Sequence, residues 1–417
     1  MDDRLDPGMR EAARLTRAGR LAEATALLQR MLYKRSGPYP VSGTGSAPPA
    51  FGLAPETVEI TNPAPSLRTG QEFDAGIRDR DGRAGRAYLP ETLRRLFDRM
   101  PRTGFEPGPG GRAEPSPAEA PEAPENGQFL VRSYTNQAGT RVYKLYVPSG
   151  YRGRPLPLIV MLHGCTQSPD DFAAGTRMNL RAEERNCLVA YPAQAASANA
   201  SKCWNWFRPG DQERGQGEPS LIAGITRQVM SDYSVDADRV YAAGFSAGAA
   251  ATAVLAATYP DLYAAIGVHS GLACGAARDV ASAFAAMRQN QLSASLPPGG
   301  RRSGRGGSLR IVPAIVFHGD RDTTVHPHNG NHVIAQLREA LNIDLKETVQ
   351  EARIPGRRAY RRVLHEDPSG QAIFEQWIIH GTGHAWSGGS PAGSYTDPQG
   401  PDAAQEMLRF FLDHPRS

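Results

Sequence analysis

The most constraining feature of this sequence is a glycine-flanked serine between a strand-like run and a helix-like run. The pentapeptide Gly244-Phe245-Ser246-Ala247-Gly248 directly follows the strand-like residues 239–243 and directly precedes an alanine-rich stretch. A serine on a sharp strand-to-helix turn has a strained backbone, and only small residues at the two glycine positions let the flanking backbone come close. The pattern predicts that Ser246 projects from the turn as a nucleophile. The competing interpretation is an ordinary glycine-rich turn.

Short apolar runs alternate with helical patterns on both sides of this motif. The sequence predicts strands at 142–147, 156–162, 187–191, 240–245, 264–269, 311–317 and 373–379, and helices at 219–233, 247–259, 329–341 and 402–413. Such alternation predicts an α/β fold with a mostly parallel central sheet and helices on both faces. Since the carboxyl ends of parallel strands meet at one edge of the sheet, we expect the chemistry to collect there.

The chain divides into three predicted regions. Residues 128–417 hold the alternating pattern and are predicted to form one domain. Apolar residues at helical spacing predict a helical hairpin in residues 1–35, and a Pro/Gly-rich composition predicts a largely irregular linker at 36–127 with one short helix at 88–100. A single hairpin cannot bury a repeat-protein core, so we expect it to serve as a docking or packing element.

Charge and hydropathy give no indication of a nucleic-acid partner, a membrane-surface partner or a membrane-spanning segment. The 47 Lys and Arg residues against 43 Asp and Glu give a net charge of +4, which demands neither a nucleic acid nor a membrane surface. No run reaches the roughly 18 apolar residues that span a bilayer, and residues 1–4 do not start a classical secretory signal. The basic, glycine-rich residues 301–307 are expected to form a solvated loop near the cleft rather than a nucleic-acid site.

Two later segments supply the base and the carboxylate that a serine nucleophile needs. His384 lies on a glycine-rich loop after the last predicted strand, where an imidazole can reach Ser246, whereas His380 still belongs to the strand end. Asp320 and Asp322 follow another buried strand. Asp320 is expected to cap its own turn, and Asp322 to hold the imidazole tautomer. The predicted triad is therefore Ser246, Asp322 and His384.

Backbone donors for a developing oxyanion are predicted at two turns. The Ala247 N–H directly follows the nucleophile, and the Cys165 N–H lies on the His-Gly turn after the buried strand 156–162. Donors fixed in place before the reaction stabilise the negative charge as it develops. We expect these two N–H groups to form the oxyanion hole.

Three tryptophans and a histidine-rich stretch each have two interpretations. Trp204, Trp206 and Trp386 are candidates for binding substrate in the cleft, or they simply fill the core. Residues 326–332 contain three histidines, but a proline and a predicted helix start interrupt them. We expect a polar loop there, no metal, and no cofactor elsewhere.

Together these motifs resemble the poly(3-hydroxybutyrate) depolymerase family of esterases. The resemblance covers residues 128–417 and is carried by Leu162-His163-Gly164-Cys165-Thr166-Gln167, Cys203-Trp204-Asn205-Trp206-Phe207 and residues 238–248, 318–322 and 383–386. It implies an α/β-hydrolase fold and acyl-enzyme hydrolysis of short-chain hydroxyalkanoate polyesters or oligoesters. The alternative substrates are feruloyl or acetyl esters of plant polysaccharides. A non-catalytic granule- or partner-binding protein is the alternative function.

The resemblance also implies a disulfide between Cys165 and Cys203. Four cysteines allow three complete pairings, and the sequence alone does not choose among them. A disulfide would indicate an oxidising compartment, and the family resemblance implies an extracellular location. The missing classical signal keeps a cytoplasmic, granule-associated location open as well.

Overall fold

The computed structural model describes residues 127–288, 311–339, 341, 343–353 and 355–416. Four predicted features lie outside these residues: the hairpin at 1–35, the linker at 36–127 except for Gly127, the short helix at 88–100 within that linker, and the basic loop at 301–307.

The described chain alternates strands and helices in the order that the sequence patterns indicate. The strands are β1 (Gln128–Asn136), β2 (Gly139–Val147), β3 (Leu156–Leu162), β4 (Leu188–Pro192), β5 (Val235–Phe245), β6 (Ala265–His269), β7 (Ala314–Gly319), β8 (Lys346–Ala352), β9 (Tyr360–Glu366), β10 (Ala372–Ile379), β11 (Trp386–Ser387) and β12 (Thr396–Asp397). The helices are α1 (Pro169–Thr176), α2 (Met178–Arg185), α3 (Gly217–Asp232), α4 (Ala247–Thr258), α5 (Val280–Arg288), α6 (His328–Glu339) and α7 (Ala403–Leu412), with a 3₁₀ turn at Pro209–Asp211. Strands β1, β8, β9, β11 and β12 and helices α1, α2 and α5 were not predicted.

A ten-stranded sheet in the order β1-β2-β4-β3-β5-β6-β7-β10-β9-β8 organises the domain. The six strands from β4 to β10 in this order pair in parallel, whereas β1 and β2 at one edge and β9 and β8 at the other pair antiparallel. Strands β3, β4, β6 and β7 are buried at every position, as continuous apolar runs covered on both faces require. The predicted mostly parallel sheet is confirmed.

Helices cover both faces of the sheet. Successive side chains of β3 point to opposite faces, so Leu158 and Val160 join one hydrophobic cluster while Ile159 and Met161 join the other. Helices α3, α4 and α6 contribute to the first cluster, and α1, α2 and α7 to the second. Among the described helices, none is both long and apolar enough to cross a membrane. The packed sheet holds the carboxyl ends of β3, β5, β7 and β10 along one edge.

Candidate active site

Ser246 occupies the sharp turn between β5 and α4. Its backbone has φ 55° and ψ −117°, a left-handed conformation that is strained for a residue with a side chain. A Cβ on Gly244 would lie 2.4 Å from the backbone carbon of Gly248, and a Cβ on Gly248 would lie 2.0 Å from the carbonyl oxygen of Leu162. Both glycines are therefore required by close backbone approach.

Asp322 and His384 meet at the carboxyl ends of β7 and β10. His384 Nδ1 lies 2.7 Å from Asp322 Oδ2, and Asp322 Oδ1 accepts hydrogen bonds from the backbone N–H groups of Thr324 and Val325, both at 2.9 Å. A carboxylate at Nδ1 requires that nitrogen to carry the proton. The other ring nitrogen, Nε2, is then free to accept a proton from a nucleophile.

The Asp322 carboxyl group is held in its charged form. Burial alone would raise its pKa, but the neighbouring imidazoles of His384 and His318 and their hydrogen bonds hold the pKa of Asp322 well below its usual range. His318 Nε2 lies 3.4 Å from Asp322 Oδ2. His318 was not singled out from the sequence, although it begins the motif that contains Asp322.

The alternative residues form a separate pair. His380 Nδ1 lies 2.9 Å from Asp320 Oδ2, and Asp320 Oδ1 accepts from the Gly381 N–H at 2.7 Å. Both side chains are substantially exposed. Asp320 thus ties the ends of β7 and β10 together, and within the described part of the chain its side chain forms no hydrogen bond with Asp322 or His384.

His384 packs against the turn that carries the serine. Its ring centroid lies 4.8 Å from that of Phe245, the residue before Ser246. Among the residues that the structure describes, no hydrogen bond within 3.5 Å joins the Ser246 hydroxyl to the His384 ring. Serine–imidazole bonds commonly tighten only when substrate binds, so the arrangement fits a nucleophile and its base.

Ser246 and both predicted oxyanion donors border one pocket of about 50 Å³. Ala247 is the first residue of α4, where backbone N–H groups have no partner within the helix. Cys165 lies on the facing loop and forms the predicted disulfide with Cys203. The remaining wall is mainly apolar and comes from the segment after β4, from α5 and from two further loops: Asn199, Ser201, Trp206, Phe207, Leu272, Val280, Ala283, Phe284, Met287 and Val325.

Two of the three tryptophans predicted to bind substrate are core residues instead. Trp206 lines the pocket, but Trp204 is fully buried and its indole N–H donates to the backbone oxygen of His163 at 3.1 Å. Trp386 is also buried and stacks on His269 at 4.9 Å between ring centroids. Trp204 and Trp386 therefore pack beneath the pocket lining, against His163 and His269, and do not line the pocket themselves. The wall formed by α5 had no sequence signal, because Ala, Val, Phe and Met are ordinary core residues.

The histidine-rich stretch after β7 does not assemble a ligand set. The rings of His326 and His328 meet edge to face at 4.7 Å. Within the described ranges no group of three or more His, Cys, Asp or Glu side chains is arranged to hold a metal ion. His328 begins α6, so the stretch forms the entry to a helix.

Comparisons with known proteins point to one group of enzymes. The sequence profile of the family described as esterase PHB depolymerase matches residues 141–356, more than half of the chain. Poly(3-hydroxyalkanoate) depolymerase C of Paucimonas lemoignei is 34% identical over 252 residues, 60% of this chain and 59% of that protein. The chain thus matches less than two thirds of that relative's length. Feruloyl esterase B of Thermothelomyces thermophilus is 29% identical over 253 residues, 59% of this chain and 84% of that protein.

A solved structure shows the same fold. The acetyl xylan esterase from Aspergillus awamori superposes with a TM-score of 0.54 at 22% identity, covering 69% of this chain and 99% of that one. This likeness confirms the predicted α/β-hydrolase fold.

Proposed function

Because this chain belongs to the PHB depolymerase family of carboxylic ester hydrolases, we propose that it hydrolyses esters with Ser246 as nucleophile, His384 as base and Asp322 as orienting carboxylate. The observation that supports this most is the shared pocket, which Ser246, Cys165 and Ala247 all line. The hydrogen bond between His384 and Asp322, at 2.7 Å, supports the roles of base and orienting carboxylate.

Acylation begins with proton transfer from Ser246 Oγ to His384 Nε2. The Oγ attacks the carbonyl carbon of the ester, and the carbonyl oxygen becomes an oxyanion that the Cys165 and Ala247 N–H groups stabilise. The ionised Asp322 stabilises the imidazolium that forms. As the tetrahedral intermediate collapses, Nε2 gives its proton to the departing alcohol oxygen, and the acyl group stays on Ser246.

Deacylation repeats the same proton movements with water. His384 Nε2 takes a proton from water, the hydroxide attacks the acyl carbon, and the same two N–H groups stabilise the second oxyanion. Collapse breaks the bond to Oγ and returns the proton to Ser246. The products are one carboxylic acid and one alcohol.

The proposed substrates are short-chain 3-hydroxyalkanoate polyesters or oligoesters. The relationship to a depolymerase supports this choice, and the small, mainly apolar pocket suits a short aliphatic acyl group. A feruloyl ester is the second candidate, since Trp206 and Phe207 present aromatic rings to the same pocket and a feruloyl esterase is among the relatives.

Product analysis separates these candidates. The full chain and its Ser246→Ala variant are incubated with p-nitrophenyl butyrate, amorphous polyhydroxybutyrate and feruloylated xylan, and the products are identified by mass spectrometry. We expect 3-hydroxybutyrate monomers or oligomers from the polyester, and a loss of at least about a thousandfold in rate in the variant. Equal rates for the two proteins would remove Ser246 as the nucleophile.

Docking through the N-terminal helices stays a prediction, because residues 1–35 lie outside the described structure. Replacing Leu21 and Leu28 by Asp in the full chain tests it. We expect weaker sedimentation with amorphous polyester granules and unchanged turnover of p-nitrophenyl butyrate. Unchanged sedimentation would contradict the docking role.

A further inference from the structure

A buried carboxylate lies behind the pocket wall and has no part in the proton transfers above. Glu218, near the start of α3, is 5% exposed. It accepts hydrogen bonds from the backbone N–H and the side-chain amide of Asn205, both at 2.7 Å, and from the Gln194 side chain. Arg141 Nη2 lies 3.7 Å from Oε1. Burying a carboxylate is unfavourable unless donors surround it, and here the donors come from two segments of the loop between β4 and the 3₁₀ turn.

One set of bonds runs from Glu218 to the disulfide. The Gln194 side-chain amide donates to Glu218 and also to the backbone oxygen of Cys203, the latter at 2.9 Å. Cys203 is covalently bonded to Cys165. The carboxylate thus fixes the partner that anchors the oxyanion loop.

A second set of bonds runs from Gln194 to the peptide that carries the donor. The Gln194 backbone N–H donates to His163 Nε2 at 3.1 Å, so His163 carries its proton on Nδ1, which donates to the Gly164 carbonyl oxygen at 2.7 Å. That carbonyl and the Cys165 N–H belong to one planar peptide group. The direction of the N–H is therefore set by the His163 ring. Burial lowers the pKa of His163 to about 4, which keeps the ring neutral.

We propose that Glu218 is a positioning residue that aims the Cys165 N–H at the substrate oxyanion, acting through Gln194 and the Cys165–Cys203 disulfide. The inference rests on the proposed esterase function and extends it. A carboxylate accepts hydrogen bonds at both oxygens, whereas an amide turns one of its ends into a donor. In Glu218→Gln, the side-chain NH₂ group would therefore face an N–H donor of Asn205 or of Gln194. That hydrogen bond would be lost, and the loop segment that carries the donor would no longer be held in place.

The test separates oxyanion stabilisation from substrate binding. Full-length wild type and Glu218→Gln are assayed with p-nitrophenyl butyrate, and inhibition is measured with butaneboronic acid, whose boron bonds to Ser246 Oγ and places a hydroxyl in the oxyanion hole. Losing a whole oxyanion donor lowers kcat by about 10²–10³-fold, so a misaimed donor is expected to lower it by about tenfold or more. We expect the boronate inhibition constant to rise by a similar factor. KM and inhibition by 3-hydroxybutyrate should stay within twofold.

A matched carboxylate provides the control. Glu183 also accepts from neutral donors, the Ser149 N–H at 3.0 Å and the Tyr146 hydroxyl at 2.5 Å, and none of these residues borders the pocket. Glu183→Gln should leave kcat and boronate inhibition unchanged.

The outcomes distinguish this inference from the function on which it rests. Glu218→Gln that folds and keeps wild-type boronate inhibition would overturn the positioning role. If Glu218→Gln does not fold, Gln194→Met provides the test, because it removes both side-chain hydrogen bonds of Gln194, to Glu218 and to the Cys203 backbone oxygen. A folded Gln194→Met variant with wild-type kcat and wild-type boronate inhibition would then overturn the positioning role. A wild type that neither turns over the ester nor binds the boronate would instead overturn the esterase function itself.

Discussion

The buried Glu218 should make the stability of this domain fall as the pH rises. Burial first, and the charge of Asp211 second, raise the pKa of Glu218 from 4.5 to about 7, against the opposing hydrogen bonds from Gln194 and Asn205. Below pH 4.5 the group is protonated in both states and has no effect. Between pH 4.5 and 7 the unfolded chain releases this proton while the folded protein still holds it, so unfolding becomes more favourable with every step in pH.

The size of the effect follows from the two pKa values. Each pKa unit corresponds to about 1.36 kcal/mol, so the pKa of about 7 for Glu218 predicts a loss of about 3 kcal/mol between acid and alkaline solution, most of which falls between pH 5 and 8. Asp211 titrates with it, because burial raises the pKa of that carboxyl too. The cations that face these carboxyls are Arg141, which lies beside both, and Arg208, which lies near Asp211.

Glu218→Gln isolates this contribution, because the amide does not titrate. Urea unfolding of both proteins at pH 5 and pH 8 gives the free energy of unfolding at each pH. From pH 5 to pH 8 the wild type should lose about 2–3 kcal/mol of unfolding free energy relative to the variant. Parallel pH dependences, or a wild type that gains stability relative to the variant, would refute the assignment of a raised pKa to this carboxyl.

Three further perturbations have defined outcomes. Asp322→Asn should lower kcat by roughly 10⁴-fold because it no longer holds the imidazole tautomer, while Asp320→Asn, in the exposed pair, should keep kcat within tenfold; similar kcat values for the two variants would refute the distinction between the two aspartates. Cys203→Ser opens a loop of 38 residues and should lower the free energy of unfolding in urea by about 4 kcal/mol; a change below about 1 kcal/mol would contradict the disulfide. Gly248→Ala places a Cβ 2.0 Å from a backbone oxygen and should destabilise by about 2 kcal/mol or more, whereas Gly210→Ala, with nothing within 4 Å, should stay within about 0.5 kcal/mol by the same measurement.

The parts of the fold that the sequence predicted are those whose residues are buried on both faces. Strand β3 is buried throughout, so its composition alone distinguishes it from a loop. Strand β1 and strand β8 are mostly exposed or half-buried. Their pairing along the sheet edges, rather than an alternating apolar pattern, makes them strands.

Short helices escaped prediction for a different reason. Helices α1 and α2 have eight residues each and are separated by Arg177 in a left-handed conformation with φ 58°. Eight residues give only two turns of periodicity, too few to stand out. The start of α1 did carry a signal: Ser168 caps the helix by accepting from the Asp171 N–H, and proline follows it.

The order of Ser246, Asp322 and His384 along the chain was readable because each follows a strand whose end lies on the same sheet edge. The sequence could not predict which hydrogen-bond partner each polar side chain has in the folded protein. Nothing in the local pattern distinguishes Asp320 from Asp322 except position, yet one lies in an exposed pair with His380 and the other is buried against His384. The difference depends on the register between β7 and β10, in which Ile379 lies opposite Gly319.

Whether each tryptophan lies in the cleft or in the core also depends on contacts with residues distant in the sequence. A large aromatic residue near a catalytic motif suits either a cleft or a core, and the choice depends on whether its polar atom finds a buried partner. The Trp204 indole N–H does, on the backbone oxygen of His163, the residue whose ring fixes the Gly164–Cys165 peptide. Trp204 and the carboxylate of Glu218 thus reach the same turn through different hydrogen bonds. The loop that carries Cys165 is held by buried groups that do not line the pocket, so we expect substitutions outside the pocket lining to alter the geometry of this loop.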